Sequence, residues 1–190
     1  MTMNVPMAKI FGKHLQGKLP GKKHFAKLCE LLSHLPPGTI VYLDFTGVDI
    51  VTGSWINAVF APFFQWASDE QIDLFPVVCN LADKTWIDEF ALVADWTHRC
   101  FLIGSGSAEP TKAMAIGPLD PGQVATLKAV TQFGPVTGAE LERRWEHEPI
   151  KATAWNNRLR DLYDKRLIRR ERRGREQVYS MVLKEIDFDG

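Results

Sequence analysis

The chain has 190 residues, enough for one ordinary domain or two small ones, and its 45% hydrophobic and 24% charged content is that of a folded globular protein. The longest apolar run breaks well before the ~20 residues a membrane helix needs, and Met1 to Gly21 lacks the apolar centre of a secretory signal, so neither a span nor export is expected. Net charge is zero but unevenly spread: before residue 41 six lysines face Glu30 alone, over 41–103 nine acids face Lys84 and Arg99, and over 150–180 ten Lys and Arg face four acids, an asymmetry that points to a polyanion partner.

In chain order, Pro6 to Phe11 is expected as a short strand. Phe25, Leu28, Cys29, Leu32 and Leu35 recur at helical spacing, which predicts a helix over Lys22 to Leu35, stopped by Pro36-Pro37-Gly38. Thr39 to Phe45 (TIVYLDF) is β-branched and aromatic, the pattern of a largely buried strand. A strongly apolar helix follows over Gly53 to Trp66, then a buried strand over Leu74 to Cys79, a helix over Lys84 to Leu92 and a last strand over Cys100 to Ile103. Strands alternating with helices imply an α/β sandwich with a mostly parallel or mixed sheet. Gly, Ser and Pro dominate Gly104 to Gly122, which predicts a linker. The expected organisation is therefore a first domain over 1–104, a linker over 105–119 and a second domain over 120–190.

The second domain opens with Asp120-Pro121, an N-cap followed by Pro at the first helical position. Val124, Leu127 and Val130 run to a stop at Gly134. Thr137 caps a second helix, with Glu140 at capping-box spacing and Leu141 and Trp145 downstream. Then comes TAWNNRLRDLYDKRLIRRERRGREQVY, Thr153 to Tyr179. Trp155, Leu159 and Leu162 form an apolar helical stripe, Leu167-Ile168 begins a strand, Gly174 marks a turn and Val178-Tyr179 returns.

VYLDFTGVDIVTGSWINAVF, with VVCNLADKTWIDEF downstream, resembles the STAS-like domains of anti-sigma-factor antagonists over roughly Lys9 to Ile103. The likeness lies in a strand ending at Asp44, the turn Gly47-Val48-Asp49, the step Ile50-Val51 and Ser54 at a helix start. It implies an α/β fold used for protein interaction or sensing. The antagonists carry Asp-Ser-Ser-Gly at the helix start and are phosphorylated on the second serine. This chain has Thr52, Gly53, Ser54 and Trp55 there, so Ser54 alone is kept. Two roles fit Ser54: a phosphate switch against the positive end of a helix, or plain capping of that helix by Ser54, Thr52 or Gly53.

Leu127 to Leu183 resembles the winged helix-turn-helix domains of bacterial transcription regulators in the order helix, turn, helix, loop, helix, hairpin. That resemblance implies a second, small α+β domain whose partner is double-stranded DNA. With the apolar stripe turned inward, Thr153, Asn156, Asn157 and Arg160 face outward, and Asn and Arg are the side chains suited to adenine and guanine edges. Asn is also a poor helix former, so two in mid-helix suggest contact. Lys151 and Thr153 at the helix start, and Arg172, Arg173 and Arg175 on the wing, are expected to meet phosphate, with Arg169 and Arg170 adding charge. Solvated arginines paired with Glu171, Glu176, Asp161 and Asp164, and a winged helix that binds protein, are the plainer readings.

Nothing points to catalysis. His14, His24, His34, His98 and His147 show no metal-ligand spacing, and Gly104-Ser105-Gly106-Ser107 forms neither a nucleophile elbow nor a phosphate loop. Cys29, Cys79 and Cys100 lack CxxC spacing and are expected as reduced core thiols in a cytoplasm. No catalytic residue, metal or cofactor is expected. The leading expectation is a non-catalytic DNA-binding regulator, dimeric to read two half-sites. The alternatives are a partner-switching adaptor docking a kinase-like ATPase through its first domain, and a small-ligand sensor. The acidic centre is also placed to fold back and mask the basic segment.

Overall fold

The computed structural model describes residues 1–70, 72–104, 109–145 and 149–188. It is mixed α/β around a mostly parallel central sheet. The first strand, β1 (Thr2–Pro6), leads directly into a short helix, α1 (Met7–Phe11). The strand expected over Pro6 to Phe11 is thus a helix: Met7 and Phe11, four residues apart, bury together, and helical spacing wins over the apolar look of the segment. There follow β2 (His14–Leu15), α2 (Lys18–Leu32), β3 (Thr39–Asp44), β4 (Ile50–Val51), α3 (Gly53–Asp69), β5 (Leu74–Cys79), α4 (Thr85–Thr97) and β6 (Phe101–Gly104). α2 begins ahead of its expected start because Pro20, in the first turn, sits where a missing N–H costs nothing.

β1, β3, β5 and β6 lie side by side in that order and all parallel. Each step moves the same way across the sheet, so right-handed crossovers put α2, α3 and α4 on one face. There they pack on Val5, Val41, Leu43, Leu74, Val78, Phe101 and Ile103. The alternate side chains, Ile40, Tyr42, Phe75, Val77, Cys79 and Leu102, point to the other face and are equally buried. A strand apolar on both faces demands a cover on both. The first hundred residues supply helices for one face, so the second face needs the rest of the chain.

That cover is the second half. β7 (Lys112–Ile116) pairs antiparallel with β6, and after α5 (Pro121–Phe133), α6 (Gly138–Arg144), α7 (Ala152–Asp164), β8 (Ile168–Arg173) and β9 (Glu176–Met181), the chain returns as β10 (Glu185–Asp187) alongside β7. The six strands run β1-β3-β5-β6-β7-β10. Leu127, Val130, Leu141, Trp155, Leu159, Leu162 and Tyr179 close over the second face in one core.

The linker expected over 105–119 is therefore a sheet strand in its second part, residues 105–108 lying outside those described. Gly104, just before it, and Gly117, within it, serve contact rather than freedom. A Cβ on Gly117, at φ +126, would stand 2.3 Å from the Arg99 carbonyl, and one on Gly104 would meet Pro110. The two halves share a sheet and a core.

Candidate nucleic-acid interface

The three helices and hairpin of the second half build a basic surface from strong local signals. α5 and α6 each start on a complete capping box, Asp120 with Gln123 and Thr137 with Glu140. α7 drives Trp155, Leu159 and Leu162, all fully buried, into the core and leaves Thr153, Asn156, Asn157 and Arg160 exposed. α6 crosses α7 at Gly138, where an added Cβ would fall 2.2 Å from Asn156 Oδ1. β8 and β9 pair over their full length, and Gly174, at φ 63, begins the two-residue loop.

Asn156, Asn157, Arg160 and Arg175 line one cleft of about 370 Å³ together with the α6 start at Thr137 and Gly138. Arg160 also faces a second cleft of about 580 Å³, shared with Tyr163, Arg166, Arg170 and Arg172. Arg160 Nη2 donates to Asn157 Oδ1 (3.3 Å), and Arg172 Nε donates to the Gly174 carbonyl (3.1 Å), which fixes both side chains. Arg173 is tied to Glu171 at 3.0 Å and faces Pro37 and Asp73 in a third hollow.

Lys151 and Thr153 stay apart from these clefts at the start of α7. Glu142 of α6 reaches that helix end: its Oε2 accepts from the Ala152 N–H (3.0 Å) and its Oε1 stands 3.4 Å from Lys151 Nζ. The anion position at this helix start thus holds a carboxylate.

Three residues of this surface are not among those expected to contact a partner: Asp73, Tyr163 and Arg166. The Tyr163 hydroxyl donates to Asp73 Oδ1 (2.8 Å), Arg166 Nη1 lies 3.7 Å from the same oxygen, and the Arg170 guanidinium lies 4.1 Å over the Tyr163 ring. Burial, then the bond to Asp73, pushes the Tyr163 hydroxyl above its ordinary pKa. Arg166 is 8% exposed and sits at φ 63, the left-handed position after a helix that glycine usually takes. Arg166 counts among the ten basic residues of 150–180, and its burial and left-handed backbone come from the fold. Asp73 is an acid of the first half that meets the root of the hairpin. Asp73 lines clefts with Arg160 and Arg172, while Asn156, Asn157, Arg160, Arg172 and Arg175 themselves are exposed.

In the first half, Ser54 is exposed in the first turn of α3, its Oγ 3.1 Å from Thr52 Oγ1. Neither side chain caps the helix; the Gly53 N–H donates instead to Glu89 Oε2 of α4 at 2.7 Å. Below β3, Asp44 Oδ1 accepts from the Thr46 N–H, the Thr46 hydroxyl and Asn80, a turn-holding network. Cys29, Cys79 and Cys100 are thiols rather than disulfides, Cys79 donating to the Leu43 carbonyl (3.5 Å), and burial pushes Cys29 up to about 11 and Cys79 up to about 12. Among the described residues no His, Cys, Asp or Glu cluster is arranged for a metal ion, and no helix is long and apolar enough to cross a membrane; His147 lies outside them. No protein-family model matches the chain, and neither a curated protein nor a solved structure is found similar to it.

Proposed function

We propose that this chain is a non-catalytic, duplex-DNA-binding regulator, with a winged helix-turn-helix formed by α5, α6, α7 and the β8–β9 hairpin, and a STAS-like first half serving as interaction or sensing module. The observation that supports this reading is the convergence of exposed Asn156, Asn157, Arg160 and Arg175 on one cleft, with Arg172 beside it. α7 would enter the major groove with Asn156, Asn157 and Arg160 at base edges, and Arg172 and Arg175 would flank it on phosphates. Arg173, tied to Glu171, and Lys151, tied to Glu142, would contribute less to affinity than their position in sequence implies.

The test is a mobility shift of the full chain on random-sequence duplex DNA across a salt series. Binding should weaken steeply with salt, and Arg172→Ala with Arg175→Ala should flatten the slope by about one ion per lost phosphate contact. Lys151→Ala should change it little. No binding at low salt by the folded protein would refute the reading. It would then favour the partner-switching one, in which a phosphate on Ser54 displaces Glu89 from the α3 start and changes the surface offered to a kinase-like ATPase.

A further inference from the structure

On α4, Trp96 is 81% exposed and Leu92, one turn earlier, 62%. Asp88 and Asp95 are exposed on the same stripe, and α4 carries Asp88, Glu89 and Asp95 with no Lys or Arg. α2 has the opposite character. Lys18, Lys22, Lys23 and Lys27 outnumber Glu30, and Leu19, 75% exposed, stands at helical spacing from exposed Lys22 and Lys23. α3 packs against both, so a basic edge and an acidic edge flank one helical layer. Large apolar side chains so bare, rimmed by charge, mark contact surfaces rather than ordinary solvent-facing positions.

We propose that two copies of this chain meet through this layer, about a two-fold axis running along α3. A two-fold contact requires a surface complementary to itself. Rotation about an axis lying along the central helix brings the basic α2 of each copy over the acidic α4 of the other. Leu92 and Trp96 then meet Leu19 of the second copy, with charge pairs at the rim. The occupant is a second copy because the chain carries both halves of the complementarity. α2, α3 and α4 cover the sheet face opposite α5 and α7, so the contact leaves the basic surface of each copy outward. The dimer does not depend on DNA binding.

The test is sedimentation velocity of the full chain over a concentration series reaching high micromolar. The wild type should reach twice its 21.5 kDa mass. Lys22→Glu with Lys23→Glu should give a monomer, and so should Asp88→Lys with Asp95→Lys. An equimolar mixture of these two variants should restore the dimer, since each reversed edge then meets an opposite one. Trp96→Ala should weaken the wild-type dimer at least about tenfold. A wild type that stays monomeric throughout overturns the proposal whatever the variants do. So does a charge variant that stays dimeric, or a mixture that stays monomeric while both variants keep wild-type circular dichroism.

Discussion

Asp73→Ala tests whether the two halves are one folding unit. Asp73 Oδ1 is the acceptor for the Tyr163 hydroxyl at 2.8 Å and the counter-charge of Arg166 at 3.7 Å, and the two ionic side chains are only 9% and 18% exposed. Removing one partner of a buried ion pair costs about 3–5 kcal/mol, because the other charge stays out of water uncompensated. The 3.7 Å separation, the absence of a hydrogen bond from Arg166 Nη1 and the attraction of the nearby Asp164 carboxylate for Arg166 place this pair at the low end, near 3 kcal/mol. The orphaned hydroxyl adds about 1 kcal/mol. A total of about 3–4 kcal/mol lowers Tm by roughly 10 °C in a chain of this size. Tyr163→Phe removes the hydroxyl alone and should cost about 1 kcal/mol. Urea unfolding followed by circular dichroism measures both variants, and the wild type should unfold in a single transition because sheet and core are shared. A cost below about 1 kcal/mol for Asp73→Ala, or equal costs for the two variants, would show that Arg166 does not depend on Asp73, against the reasoning.

Three further outcomes follow from the packing. Gly117→Ala should cost at least about 2 kcal/mol in the same assay, because its Cβ would strike the Arg99 carbonyl at 2.3 Å and its φ of +126 is foreign to alanine; a freely moving linker would lose nothing. Ser54→Asp should destabilise by about 1 kcal/mol while Glu89 holds the α3 start, and should lose that penalty in a Glu89→Ala background; additive effects in this double-mutant cycle would separate Ser54 from the cap. His24 Nδ1 accepts from Trp55 Nε1 at 2.9 Å, which only a neutral imidazole can do, and burial followed by Lys27 holds its pKa below the ordinary 6.5. The unfolded chain therefore binds the proton more readily, so this contribution is full above 6.5 and falls as pH drops through that value toward the folded pKa. Thermal melts in mildly alkaline and mildly acidic buffer should show the loss, and His24→Gln should flatten it.

What sequence by itself determined is what neighbouring residues decide among themselves. The caps at Asp120 and Thr137, the stripe of Trp155, Leu159 and Leu162, the turn at Gly174 and the runs at Thr39 and Leu74 rest on contacts within a few residues. The exposure of Asn156, Asn157 and Arg160 followed from that stripe, since the opposite side of a helix has no choice. Tertiary structure decided whatever required a partner far along the chain. β7 reads KAMAI, small residues with little strand signal, and is a strand because β6 lies on one side and β10, some seventy residues on, lies on the other. The two-sided apolar character of β3 announced a second cover but not which residues supply it. Glu89 and Glu142 cap helices to which they do not belong, so the cap expected of Thr52 or Ser54 goes to another helix and the charge of Lys151 is already engaged. Asp73 lies ninety residues from Tyr163 and carries no common pattern with it or with Arg166, because a buried charge is stable only where the fold brings its counter-charge.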